Sequence, residues 1–462
     1  MIKIAVTTKD DLELVQKLWK DGRVMKWVGF PDGLEMSAED MLKWYERLQQ
    51  TPNEEHYSLF DTTGEYVGET FYRYHPEETE VDIKLVPSQQ GKSYASVGLS
   101  YVMSKVFVHD PNTVIIVDPH PENLQAYILY ERLGFKKTTR FKVEGHFVFE
   151  CRYVDFKPHK KIIERYVSLT PYEEKDDRWI WEVSEAQSDY DWQAWDGPYF
   201  EKSEPLTYDQ YLDSKQRKRY LEHPDMVRII RFMDQPIGIM NSYWIDEKTR
   251  WLEIGGVVFE SIHWSKGYGR QAFRKWLDFQ FERHPEIQNI GLTTWSGNQR
   301  MMKVANWLGM KQEAQRRNMR YHLETYYDSL SYGITRFEYE LRKRFPIEQI
   351  DPREVQLPKR VSLNMYEILA LGYKVDENLL GFILLNQKNQ NTFEIVHLNV
   401  IDTEHQKAIT EALLFEAKIL GRMRDGHFLE IKINPRELTK YQGLGFHILD
   451  DVDNVYILVQ TL

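Results

Sequence analysis

The chain has 462 residues, 42% of them hydrophobic, which at roughly 150 residues per domain predicts about three domains, each able to bury a core. Mean hydropathy is -0.58 and no window approaches the run of about 18 apolar residues that a membrane span needs, so an integral membrane protein is excluded. The formal charge of -11, from 60 basic and 71 acidic residues, opposes binding of a phosphate backbone, and no strong basic patch intervenes.

The start, Met1 to Asp10, turns charged at once and reads as a first strand rather than a signal peptide, so a cytoplasmic location is expected. Residues 1–150 hold 17 Lys plus Arg against 24 Asp plus Glu, a balance that suits a cationic small molecule and also serves solubility. A hairpin is predicted from His56–Asp61 through a Thr63-Gly64 turn to Tyr66–Tyr74. The strand Glu80–Val86 runs into Pro87 and then Gln90-Gly91-Lys92-Ser93-Tyr94-Ala95. A strand, Val114–Val117, precedes Asn123, from which a short amphipathic helix leads to a capping Gly134 and Phe135. The lone cysteine, Cys151, can neither close an internal disulfide nor supply a thiolate zinc site. The polar, proline-marked stretch Lys157-Pro158-His159-Lys160 ends this unit.

The pattern then recurs. The strand Trp251–Phe259 runs into Trp264-Ser265-Lys266-Gly267-Tyr268-Gly269-Arg270, and the strand Ile290–Thr294 precedes Asn298 and, eleven residues later, Gly309-Met310. After a second proline-marked boundary, Phe345-Pro346 to Pro358-Lys359, the strand Phe393–Val400 runs into Thr403–Ile409, and Leu429–Ile433 precedes Asn434 and Gly445-Phe446. Here the loop glycines are gone and the leading helices are missing. The expected architecture is α/β, with mixed sheets flanked by helices in tandem units 1–157, 160–345 and 358–462, the third truncated and degenerate.

A glycine-rich turn that opens a helix gathers backbone N–H groups and the positive helix end into an anion cradle. Gly91, Ser93 and Ala95 serve this in the first unit, Gly267 and Gly269 in the second, with Lys92, Lys266 and Arg270 adding charge. In the third, Glu404 and Ile409 oppose it. Met1–Lys343 thereby resembles the GNAT superfamily of acetyl-CoA-dependent N-acetyltransferases, whose loop follows Q/R-x-x-G-x-G/A. The first unit departs at Ser93 and the second at Trp264. The stretch Asp118-Pro119-His120-Pro121-Glu122-Asn123 through Tyr130 to Phe135 is similar to aminoglycoside 6'-N-acetyltransferases. Through Glu253-Ile254-Gly255, Asn298 and Tyr332–Arg336, the second unit is similar to ribosomal-protein alanine acetyltransferases.

The resemblance implies acetyl-CoA as cofactor, direct attack of an amine on the thioester, a base for the amine and an acid for the thiolate. Backbone at Leu85 and Val86, and at Val257 and Val258, corresponds to the strand that holds the pantetheine arm. The cofactor set is completed by Gln90, Gly91, Lys92, Ser93, Tyr94, Ala95 and Asn123 in the first unit. Its counterpart is Lys266, Gly267, Tyr268, Gly269, Arg270 and Asn298 in the second. Asp82 is the implied base, Glu80 shares its strand face, and Glu253 is the corresponding choice in the second unit. Tyr130 is the implied acid; the third unit has Tyr441 at that position and the second has Ala305. The run Trp179 to Tyr199 interleaves carboxylates with aromatic rings and can hold an amine, form an interface or make a solvated loop. Lys215–Arg219 reads as a solvated helix face, and His397 and His405 lack a third metal ligand. The expected activity is acetyl transfer to a primary amine on an aminoglycoside-like or polyamine-like molecule. A ribosomal-type protein amine and a non-catalytic CoA-binding scaffold are the rivals; no nucleic acid, membrane or metal partner is expected, and a homodimer is compatible.

Overall fold

Turn chemistry and helix caps set the ends of most elements in the computed structural model, which describes residues 2–143, 145–355, 368–376, 378–401, 404–452 and 455–462. The first third forms β1 (Lys3–Val6), β2 (Glu54–Phe60), β3 (Tyr66–Tyr74), β4 (Thr79–Leu85), β5 (Ile115–Val117), β6 (Lys136–Val143) and β7 (His146–Cys151). Its helices are α1 (Leu12–Trp19), α2 (Gly22–Met25), α3 (Ala38–Gln50), α4 (Tyr94–His109) and α5 (Leu124–Leu133). The sheet order is β1-β2-β3-β4-β5-β7-β6. Only β4 and β5 run parallel, which requires the crossover that α4 supplies.

The middle third holds β8 (Val167–Pro171), β9 (Val227–Phe232), β10 (Gln235–Asp246), β11 (Trp251–Val258), β12 (Asn289–Trp295), β13 (Lys311–His322) and β14 (Thr325–Thr335). Its helices are α6 (Lys160–Tyr166), α7 (Asp177–Ser184), α8 (Tyr208–Leu212), α9 (Lys215–Glu222), α10 (Tyr268–Arg283), α11 (Gln299–Leu308) and α12 (Arg336–Arg344). The last part holds β15 (Ile347–Ile350), β16 (Ile368–Val375), β17 (Asn378–Asn389), β18 (Thr392–Val400), β19 (Phe428–Ile433), β20 (His447–Val452) and β21 (Val455–Thr461), with α13 (Gln406–Met423) and α14 (Leu438–Gln442). The orders β8-β9-β10-β11-β12-β14-β13 and β15-β16-β17-β18-β19-β21-β20 repeat the first permutation, with β11–β12 and β18–β19 as the parallel pairs.

The third sheet has as many strands as the other two, and its edge strand β15 lies upstream of the expected boundary at residue 358, which itself falls outside the described residues. The expected shortening falls between β15 and β16, where the described residues hold one 3-10 turn, Pro352–Glu354. Thr403, in the third predicted loop, also lies outside the described residues.

Two compact units divide the chain. One comprises Met1–Gln187, Pro205–Ile239 and Val257–Ala272; the other comprises Ser188–Glu204, Met240–Gly256 and Phe273–Leu462. In the first, α4 packs Leu99, Val102, Met103 and Val106 against Val81, Ile115 and Phe149 of the sheet. In the second, α13 packs Ile409, Leu413 and Ala417 on Ile383, Leu385 and Phe393. No helix among the described residues is long and apolar enough to cross a membrane.

The recurring asparagine-to-glycine spacing is a helix length. Asn123 Oδ1 accepts the Ala126 N–H at 3.2 Å and Asn298 Oδ1 the Met301 N–H at 3.0 Å, so each asparagine caps a ten-residue helix. Each helix closes on a left-handed glycine, Gly134 (φ 102°) or Gly309 (φ 87°). A Cβ at Gly134 would also lie 2.0 Å from the Asp155 carbonyl oxygen, so that position excludes any side chain twice over. In the third unit Asn434 caps only the 3-10 turn Pro435–Glu437.

Candidate active site

β4 and β5 pair only at Thr79 with Ile115 and Glu80 with Ile116, and β4 then continues to Leu85 without β5 beside it. The strands part around a cavity of about 890 Å³, within the range of small-molecule sites. Of the predicted residues, Glu80, Asp82, Leu85, Gln90, Gly91 and Ser93 line it, as do Tyr94, Ala95, Asn123 and Tyr130. Val86 and Lys92 lie outside its wall. The Val86 N–H donates to the Val67 carbonyl at 3.0 Å, and the Lys92 amine donates to Gln89 Oε1 at 2.8 Å.

The loop before α4 turns on two left-handed residues, Gly91 (φ 81°) and Ser93 (φ 63°). The loop before α10 turns on Ser265 (φ 62°) and Gly267 (φ 91°). Superposed on Lys92-Ser93-Tyr94 and Lys266-Gly267-Tyr268, the left-handed positions coincide, with glycine and serine exchanged. A left-handed non-glycine residue costs about 1–2 kcal/mol. The departure of Ser93 from glycine therefore leaves the curvature of the loop intact. Nothing lies within 4 Å of a Cβ built at Gly91, so backbone there is open to close approach, at the positive end of the sixteen-residue α4.

The acidic wall separates into distinct environments. Glu80 is held by Lys142 at 2.7 Å, Arg73 at 3.5 Å and His75 at 3.6 Å. Burial pushes its carboxyl up, but the Lys142 hydrogen bond and the Lys142 and Arg73 charges outweigh burial and leave it lowered, a poor setting for a base. Asp82 Oδ2 accepts from Lys84 Nζ at 2.5 Å, and Oδ1 has no partner among the described residues. Asp118, which the sequence reasoning did not single out as a base, lines the same cavity just after β5. Burial raises its pKa, the Glu80 and Asp82 charges add to that, and Lys142, 4.0 Å away, only partly opposes it. A carboxylate so raised is the better proton acceptor. Tyr130 is buried, and burial followed by the Asp82 and Asp118 charges raises its phenol well above the ordinary value, so the hydroxyl keeps its proton. Trp27, His120 and His146 add an aromatic rim, with ring centroids 5.5 Å and 5.1 Å apart in turn. An acid directly after a short β-branched strand was the signal available for Asp118; nothing local pointed to Trp27, 55 residues before Asp82.

The sequence matches the model of the acetyltransferase (GNAT) domain over residues 4–136 and again over 167–311, together more than half the chain. The chain belongs to the GNAT acetyltransferase family. No curated protein matches it. Among solved structures it is similar to a spermidine N-acetyltransferase from Vibrio cholerae in complex with CoA and spermine, at 19% identity over 32% of this chain and 92% of that one, with a TM-score of 0.29. A GNAT-family acetyltransferase from Bacillus anthracis matches at 20% identity over 37% and 95%, TM-score 0.29. The aminoglycoside acetyltransferase AAC(6')-Ib in complex with coenzyme A and kanamycin matches at 20% identity over 32% and 93%, TM-score 0.28. GNAT enzymes draw their acetyl group from acetyl-CoA, and the left-handed loop with its open glycine, leading into a divided pair of strands, fits that ligand.

The second GNAT domain repeats the frame with different residues at the corresponding places. A Cβ on Gly68 would meet the Lys84 carbonyl oxygen at 2.1 Å and one on Gly238 that of Val257 at 2.2 Å, so Lys84 and Val257 hold equivalent places. Counting back, Asp82 corresponds to Gly255 and Glu80 to Glu253. The strand pairing agrees, because Glu80 and Glu253 are each the last paired residue of the parallel run. The expected match of Glu253 with Asp82 is thus corrected. Glu253 is buried, and its two oxygens accept from Tyr243 Oη and Thr293 Oγ1, each at 3.0 Å, which ties three strands together. Asp118 corresponds to Thr293 and Tyr130 to Ala305.

Groups predicted to hold a second cofactor are engaged by the chain itself. Lys266 is buried, its ammonium donating to the carbonyls of Tyr153 at 2.5 Å and Phe156 at 3.1 Å. Tyr268 is buried with its hydroxyl 3.5 Å from that of Tyr153, and a Cβ on Gly267 would lie 3.2 Å from Ile163 Cδ1. The Val258 carbonyl accepts from Trp264 Nε1 at 2.7 Å. Asn298 Nδ2 donates to the Trp195 carbonyl at 2.8 Å. Gly269 is half-buried and Arg270 exposed. In the predicted amine cluster, the Trp195 ring carries Arg300 at 4.5 Å and the Tyr199 ring carries Arg320 at 4.9 Å. In the third unit His405 before α13 has φ -111°, and Tyr441 is buried in the core. Cys151 is buried, and burial pushes its thiol up to about 12.

Proposed function

We propose that the first domain acetylates a primary amine on a cationic small molecule, and that the second and third serve the architecture. The proposed division places domain ends at 157–160 and before β15. The observation that carries the reading is the convergence of Asp82, Asp118 and Tyr130 on one cavity beside a left-handed loop, where the second domain has Gly255, Thr293 and Ala305. Backbone N–H groups of residues 91–96 would hold the diphosphate of the cofactor, and β4 backbone near Leu85 its pantetheine arm. Acetyl-CoA supplies the acetyl group as a thioester open to a neutral amine. Asp118 takes the proton that an incoming ammonium must lose, and Tyr130 presents a proton on the cavity wall for the departing sulfur. The carboxylates of Asp82 and Asp118 favour a cation over a neutral or anionic acceptor.

Thiol release from acetyl-CoA against a panel of amines tests the chemistry, and CoA calorimetry tests the site count. The expected results are turnover with a cationic amine, about a tenfold to hundredfold loss of kcat in Tyr130→Phe, and one CoA per chain. Two equivalents of CoA, or full activity in Tyr130→Phe, would refute the assignment.

A further inference from the structure

Behind the cavity wall lies a carboxylate that the transfer reaction does not touch. Glu69 on β3 is 1% exposed, and it pairs across the sheet with Lys84 as Phe71 does with Asp82. Its Oε1 accepts from Trp19 Nε1 at 2.7 Å and lies 3.5 Å from Lys84 Nζ, while His56 Nε2 is 3.4 Å from Oε2. His56 Nδ1 in turn lies 2.8 Å from Thr7 Oγ1. Asp82, Lys84 and Phe71 line the cavity, whereas Glu69 stands behind them.

Withdrawing such a carboxylate from water costs several kcal/mol, so its partners must hold it in charged form. Burial would raise its pKa, but the His56 and Lys84 charges more than reverse that and bring it to about 2. Charge counting shows the consequence. Asp82 and Lys84 alone form a neutral pair with little attraction for a cation. Glu69 behind Lys84 adds a second carboxylate, so that Asp82, Lys84 and Glu69 together sum to one negative charge. Glu80, by contrast, is matched by its own cations, Lys142 and Arg73. The set is also absent as a set from the second domain, where Asp82, Lys84 and Glu69 correspond to Gly255, Val257 and Ile239.

We propose that Glu69 is a positioning residue whose buried charge offsets Lys84, so that Asp82 acts as the anionic subsite for a second ammonium on the acceptor, distinct from the amine that is acetylated. The acceptor class is then a diamine or longer polycation. This rests on the first domain being the working transferase.

The test compares putrescine with n-butylamine on the full chain at about pH 8, above the ordinary imidazole range. Glu69→Gln is expected to lower the putrescine-over-butylamine ratio of kcat/KM about tenfold, the effect of one unit charge several ångströms away at an intermediate dielectric. Lys84→Met removes a positive charge from the same set and is expected to raise the ratio. A merely structural role would move both variants in the same direction or leave the ratio unchanged, and either result overturns the proposal. CoA affinity and circular dichroism check folding. If Lys84→Met does not fold, Glu69→Gln decides alone, because the wild-type ratio should fall with added salt more steeply than the variant's. If the wild type acetylates neither amine, the transfer reading fails separately. Calorimetric titration of putrescine into the CoA-loaded chain then decides: about tenfold weaker binding to Glu69→Gln supports the subsite, and equal binding overturns it.

Discussion

Replacing Lys266 by methionine tests whether the second loop has become a clasp for the chain. Lys266 is 7% exposed, and its ammonium is held by two carbonyls, those of Tyr153 and Phe156, with no carboxylate in contact. Burial lowers its pKa from 10.5 to about 8, with Cys151 and Asp155 nearby opposing that only in part. The folded state therefore holds this proton less tightly than the unfolded chain, a penalty of about 3 kcal/mol at pH values below both pKa values. Between about pH 8 and 10.5 the unfolded chain binds more protons, so this residue makes stability rise with pH. Integrated from about pH 7 to 9.5, the gain is about 2 kcal/mol. Lys266→Met abolishes that increment, while the two carbonyls left without a donor cost about 1–3 kcal/mol at every pH. Urea unfolding of wild type and variant at the two pH values gives the double difference, in which other titrating groups cancel. It is read on the first transition, since several domains need not unfold together. A double difference under about 0.5 kcal/mol would show that Lys266 titrates as an ordinary exposed lysine and that the clasp is not formed.

Asp118→Asn is expected to lower kcat by about a hundredfold or more. In the wild type the acid limb of kcat/KM should fall at a pKa above the ordinary aspartate value of 3.8, since burial and the Glu80 and Asp82 charges raise Asp118; the limb should vanish in the variant. A pH profile that survives in Asp118→Asn would assign the base elsewhere. Ser93→Gly removes the left-handed strain of an exposed residue, about 1–2 kcal/mol, partly offset by the roughly 0.5–1 kcal/mol of extra chain entropy that glycine loses on folding. The variant should be slightly more stable by thermal unfolding with unchanged CoA affinity, and a loss of affinity would mean that the serine hydroxyl itself holds the ligand.

Much of this protein is legible in its sequence because the signals are local. The hairpin at Thr63-Gly64, the strand at Val114–Val117 and the helix bounded by Asn123 and Gly134 depend on turn and cap chemistry within a few residues. The threefold repeat then carries the same frame along the chain. Equivalence between strands is less local. Glu253 and Asp82 are both acids ahead of a glycine-bearing loop, yet one extra residue in the second loop moves Glu253 to the place of Glu80. The edge strand β15 carries little signal in the sequence because it is four residues long and precedes its sheet partner by a stretch without a motif.

Composition, periodicity and the paired loops by themselves determined a repeated α/β frame with glycine-bearing turns ahead of two helices, because backbone geometry of that kind is written in neighbouring residues. Which loop glycine faces open space, which carboxylate is matched by a cation and which is raised by burial were decided only in three dimensions. Burial and charge are set by groups distant along the chain: Lys142 on Glu80, Glu69 behind Lys84, Tyr153 over Lys266.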